Sequence, residues 1–162
     1  MKNSYLDKIL VDTKLKIELS KARNENKQIV FANGCFDLLH VGHIRYLISA
    51  KNLGDILVVA INSDRIVRQL KGSNRPLTSE LERAEIIAAL ACVDYVTIFD
   101  TPTVTELLLL LKPDIHAKGT DYTLDNVPER EIVSSYGGRV AIVGDPKDHS
   151  TTELLERLSD NQ

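Results

Sequence analysis

Eleven consecutive residues, Asn33-Gly34-Cys35-Phe36-Asp37-Leu38-Leu39-His40-Val41-Gly42-His43, gather an amide, a thiol, a carboxylate and two imidazoles into one stretch. An apolar pattern of helical period follows in Ile44, Leu47, Ile48 and Leu53, so His40-Val41-Gly42-His43 falls at a helix N-terminus. Free backbone N–H groups and the positive end of the helix dipole favour an anion there. Two imidazoles one turn apart add donors aimed at the same place. Gly42 leaves room for phosphate oxygens to approach the backbone. Lys51, two turns beyond His43, is expected to bring a mobile positive charge to those phosphates. A second reading makes Cys35, His40 and His43 three ligands of a metal site, although no fourth ligand follows at a zinc-like spacing. A purely structural role fits less well, because the loop follows the carboxyl end of a strand, where open α/β sheets put their ligands.

The elements that must hold this loop alternate along the chain. Strand character appears at Gln28 to Ala32, Asp55 to Ile61, Tyr95 to Phe99, Ile115 to Ala117 and Arg139 to Val143, each followed by a loop and a helical segment. The expected fold is a single α/β Rossmann-like domain, a five-stranded parallel sheet flanked by helices. Residues 28–162 would form this domain, and residues 1–27 an N-terminal helical extension packed on it, with Leu15 to Arg23 as a surface helix. Capping-box spacing marks helix starts at Ser79 with Glu82, Thr103 with Glu106 and Ser150 with Glu153, and Gly137 supplies a stop. No GxGxxG follows the first strand and no GxxxxGK[ST] occurs, so neither a dinucleotide dehydrogenase nor a P-loop kinase is supported.

Composition sets the outer limits. With 162 residues and 43% hydrophobic content the chain can bury one substantial core. A formal charge of −3 and a pI near 5.8 argue against a dedicated nucleic-acid or acidic-membrane binder, so a partner anion must be met by local chemistry. Cys35 and Cys92 lack a CxxC spacing and no signal-peptide pattern opens the chain, which points to reduced thiols in a cytoplasm. The apolar run Glu106 to Leu111 is too short to cross a bilayer, and a soluble protein is expected. Linear patterning neither requires nor opposes a homodimer.

The run from Gly34 to His43 resembles the signature of the cytidylyltransferase-like nucleotidyltransferases, and Ser150-Thr151-Thr152 resembles that superfamily's second, carboxyl-terminal motif. Within the superfamily the chain is most similar to the adenylyltransferase domain of ADP-heptose synthase. The residues that carry this narrower likeness are Val59-Ala60-Ile61-Asn62-Ser63-Asp64, Leu70-Lys71-Gly72 with Arg75-Pro76, Leu90 to Tyr95, and Lys118-Gly119-Thr120-Asp121-Tyr122. The resemblance implies in-line attack of a substrate phosphate on the α-phosphorus of a magnesium-bound triphosphate, with no covalent enzyme intermediate. Mg2+ would be carried by the nucleotide, with no protein metal site. His40, His43 and Lys51 would be catalytic. Asn33, Gly34, Cys35, Phe36, Asp37, Gly42, Lys118, Gly119 and Asp121 would join the histidines around the nucleotide, and Ser150, Thr151 and Thr152 would hold its β- and γ-phosphates.

Lys71, Arg75 and Lys118 fall in expected loops and either bind the substrate phosphate or are simply solvated. Asp37 caps its own loop or orients a histidine or magnesium. Asp121, with Tyr122 beside it, meets sugar or base hydroxyls or closes an Asx turn. His116 reads as structural and His149 is left open. Tyr46 and the stripe Leu107 to Leu111 read as core. Related cytidylyltransferases carry an arginine shortly before Ser-Thr-Thr, where this chain has Lys147, a departure that favours the heptose type. The resulting expectation is an ATP-dependent adenylyltransferase for glycero-manno-heptose 1-phosphate. The alternatives are a CTP-dependent enzyme for glycerol 3-phosphate or a similar small sugar or polyol phosphate, and a nucleotide-binding domain without turnover.

Overall fold

The unbroken apolar run Ile56 to Ile61 is, in the computed structural model, which describes residues 4–146, part of the fully buried strand β2 (Ile56–Asn62). Beside it β1 (Ile29–Gly34) runs parallel, with Ile29 opposite Ile56. With β3 (Tyr95–Phe99), β4 (Ile115–Lys118) and β5 (Arg139–Ile142) they form a five-stranded, all-parallel sheet in the order β3-β2-β1-β4-β5. The strands are those expected, with ends displaced by at most two residues.

Successive side chains leave a strand on opposite faces, so each apolar run feeds two cores. Val30, Ala32, Leu57, Val59 and Ile61 pack against Leu47 and Ala50 of α2 (Val41–Lys51) and against Ala84 and Ile87 of α4 (Glu80–Ala88). Ile29, Phe31, Ile56, Val58 and Ala60 meet α1 (Asp12–Asn24), α5 (Thr105–Leu111) and α6 (Arg130–Ser135) on the other face. The expected surface helix over Leu15 to Arg23 thus becomes α1 with a core-facing stripe, since Leu15, Leu19 and Ala22 are all buried. Ahead of it, the short 3-10 turn Tyr5–Lys8 is fastened by the Lys8 ammonium, which donates to the carbonyls of Leu90 and Val93 at 3.2 and 2.7 Å. Of the leucine stripe, Leu107, Leu108 and Leu111 are buried while Leu109 and Leu110 remain exposed.

Helix α3 (Asp64–Lys71) starts on a Ser63 cap. Ser79 and Glu82 close the expected capping box on α4. Thr103 does not cap α5. Val104 occupies the N-cap position without a side-chain bond, and its 2% exposure shows that packing set this helix start. Gly137 ends α6 at a φ of +88°, a conformation open to glycine. Ser150 lies outside the described residues.

From β1 the chain winds outward through β2 and β3, then returns to place β4 and β5 on the other side of β1. The reversal opens a crevice above the carboxyl ends of β1 and β4. Among the described residues no helix is long and apolar enough to cross a membrane.

Candidate active site

A cleft of about 640 Å³ occupies that crevice. Its floor is the loop from Asn33 to Asp37 together with His40, Gly42 and His43. Lys118 to Tyr122 come from the end of β4, Leu70 and Lys71 from α3, and Val143 to Pro146 from beyond β5. Phe36 turns the loop through a φ of +48°, costly for a bulky residue. The turn seats its ring over Gly34, where an added Cβ would lie 3.0 Å from the ring, and against His43 at a centroid distance of 5.3 Å.

The two histidines stack at 3.9 Å between ring centroids. His43 Nδ1 accepts the backbone N–H of His40 at 3.4 Å, so in the neutral ring the proton resides on Nε2. Burial, with His40 and Lys71 adding smaller positive influences, draws the His43 pKa down to about 4. At neutral pH the ring is therefore an uncharged N–H donor held at a helix N-terminus, whose dipole favours an anion.

Lys118 brings the cation. Its side chain is 7% exposed, with Nζ 4.4 Å from the Tyr122 ring centroid and 3.5 Å from Glu129 Oε2. Lys71 lines the opposite side of the cleft, on an exposed stretch of α3, and its charge reaches His43. The neutral His43 donor, stacked on His40 and set between two lysines, suits a polyphosphate.

The sequence pattern of the family described as Cytidylyltransferase-like matches residues 31–157. The chain belongs to the cytidylyltransferase-like family. As a cytidylyltransferase-like domain it is a nucleotidyltransferase. It is 51% identical over 156 residues to the "Bifunctional protein HldE" of Syntrophotalea carbinolica, covering 96% of this chain and 32% of that protein. It is 57% identical over 142 residues to the protein of the same name from Pelobacter propionicus, covering 88% and 29%. The chain thus spans about a third of the length of these relatives. The crystal structure of the lipopolysaccharide core biosynthesis protein from Thermoplasma volcanium superposes with a TM-score of 0.61 at 33% identity, over 72% of this chain and 94% of that one.

Three expectations about this cytidylyltransferase-like site need correction. Lys51 does not line the cleft: it ends α2, eight residues and roughly 12 Å beyond His43. There it donates to Asp94 Oδ2 and the Asp55 carbonyl, both at 2.5 Å, below the amino ends of β2 and β3. Arg75 does not line the cleft. Asp37, whose side chain is 1% exposed, accepts from Arg75 Nη1 and from the Leu77 N–H, each at 2.6 Å, because a buried carboxylate must recover the bonds that water would have made. Asp37 therefore borders the cleft but spends its charge on the loop before α4, not on a histidine.

Asn33, Gly34, Cys35, Phe36, Gly42, Gly119, Asp121 and Tyr122 all border the cleft. Cys35 is half-buried, with its thiol pKa raised by burial and its sulfur 3.6 Å from Asn62 Oδ1. Among the described residues no three His, Cys, Asp or Glu side chains converge on a metal position, Cys35, His40 and His43 included. Lys147, His149, Ser150, Thr151 and Thr152 lie outside the described residues.

Linear reading missed Arg83, Tyr46 and Glu129. Arg83 is fully buried and donates to the carbonyls of Cys35 at 2.5 Å and Asn62 at 2.9 Å and to Asp64 Oδ1 at 2.8 Å, so α4 holds the signature loop to the end of β2. Its one signal was its place on the apolar stripe shared with Ile87. Tyr46 is more than core: its hydroxyl donates to the Ala117 carbonyl at 2.8 Å, its ring lines the cleft, and burial raises its pKa.

Proposed function

We propose that this domain is a cytoplasmic enzyme that transfers AMP from ATP to D-glycero-D-manno-heptose 1-phosphate. The products would be ADP-heptose and pyrophosphate, for assembly of lipopolysaccharide or another surface polysaccharide. The observation that carries this reading is identity of 51% and 57% to HldE proteins over nearly the whole chain. The motifs shared with the adenylyltransferase domain of ADP-heptose synthase support it. So does the likeness to a lipopolysaccharide core biosynthesis protein.

In the proposed reaction a phosphate oxygen of the sugar attacks the α-phosphorus of MgATP. The new P–O bond forms as the bond to the β-phosphate's bridging oxygen breaks, and pyrophosphate leaves opposite the nucleophile. Magnesium enters as part of the nucleotide substrate. His40 and His43 donate to the oxygens on which charge accumulates, and the two ammonium groups of Lys71 and Lys118 neutralise the phosphates. Ser150, Thr151 and Thr152 take the β- and γ-phosphates, and Asp121 and Tyr122 meet sugar hydroxyls.

Pyrophosphate release separates this reading from its alternatives. Heptose 1-phosphate with ATP should react far faster than glycerol 3-phosphate with either ATP or CTP. The reverse order would replace the substrate with a polyol phosphate. Tight nucleotide binding without turnover across the panel would make the domain a nucleotide binder.

A further inference from the structure

His116 is fully buried in β4, yet its ring does more than pack edge-on against Phe31 of the neighbouring β1. Its Nε2 lies 2.9 Å from Oδ1 of Asn33, the penultimate residue of β1 and part of the cleft lining. A carbonyl oxygen can only accept, so Nε2 carries the proton and His116 donates. That bond uses the oxygen end of the Asn33 amide and leaves its NH2 end for another acceptor. Burial holds the imidazole neutral, with its pKa drawn down to about 3, so the ring carries a single N–H at all physiological pH. The other ring nitrogen, Nδ1, is buried with no hydrogen-bond partner among the described residues. Leucine would fill the same volume without burying that unpaired nitrogen. Space-filling alone does not account for a histidine here.

We propose that His116 is a positioning residue of the nucleotide site: it fixes the side-chain oxygen of Asn33 and so presents the Asn33 NH2 group to an acceptor on the bound nucleotide. This rests on the cleft being the nucleotide site. The acceptor is an oxygen or ring nitrogen of the nucleoside, because Asn33 sits on the strand end behind the phosphate-facing loop.

Equilibrium binding of the magnesium nucleotide, ATP or CTP, that wild-type protein binds more tightly tests the proposal without any sugar. H116L should weaken binding about 5- to 10-fold, the worth of one hydrogen bond, with an unchanged or higher melting temperature. H116Q, whose amide nitrogen can donate to the same oxygen, should recover most of that affinity. In an N33A background H116L should change nothing further. Wild-type affinity in H116L, or the same loss with and without Asn33, would overturn the proposal alone. Wild-type protein that bound neither nucleotide would overturn it together with the reading of the cleft.

Discussion

His43 illustrates how one side chain is prepared by its neighbours. A charged imidazole beside His40 and Lys71 would repel both and lose its hydration, so the ring stays neutral, with Nε2–H as its donor. In the proposed reaction such a donor would cost no proton transfer as charge builds on the transferring phosphoryl group, and it would already be oriented before the nucleotide arrived. Replacing His40 or His43 with alanine should lower kcat by about 10²- to 10³-fold while the melting temperature moves by only a few degrees. Near-normal turnover in either variant would remove that residue from catalysis.

Helix α2 has two chemically distinct ends. Its N-terminus, with His40 and His43, opens on the cleft, whereas its C-terminus is fastened by Lys51 to Asp94, which also accepts the Leu57 N–H at 2.7 Å. Lys51 therefore belongs to the scaffold. Both partners are partly exposed, at 28% and 36%, so water and salt screen the pair and its worth is about 0.5–1 kcal/mol. K51M should lose about that much stability in denaturant titration with kcat unchanged within roughly twofold. A large fall in kcat with intact stability would return Lys51 to the phosphates.

Across the whole molecule, two desolvated histidines, His116 buried in β4 and the partly buried His43 in the first turn of α2, make folding depend on pH. His43 and His116 titrate near 4 and 3 when folded but near 6.5 in the unfolded chain. Between those values the unfolded state binds more protons, so stability rises with pH there: it is fully present above about 6.5 and lost as the pH falls towards 4 and 3. Each histidine contributes a slope of at most about 1.4 kcal/mol per pH unit. Unfolding free energy should be flat from pH 7 to 8 and fall from pH 6.5 to 5. H116L should remove up to half of that fall, and an unchanged slope in H116L would show that His116 does not titrate as described.

Local order was legible in the chain. The five strands, the HxGH helix start, the Ser79 cap and the Gly137 stop depend on periodicity and on chemistry within a few residues, which linear reading captures. The run Asn33 to His43 also marked a strand end followed by a helix start, the geometry that the cleft is built on. Partners distant in sequence could not be read this way. Lys51 meets Asp94 43 residues on, Arg75 meets Asp37 38 residues back, Arg83 reaches Cys35 across 48 residues and His116 reaches Asn33 across 83. A charge or an imidazole has no preferred partner until the β3-β2-β1-β4-β5 order brings one within 3 Å, and where the pair is buried, as for Asp37, Arg83 and His116, that partner becomes obligatory. Residue type and spacing were enough to single out the signature loop that borders the cleft, whereas which charged side chains face the cleft and which bond to the scaffold was set by the sheet order, since only packing decides which of them water can still reach.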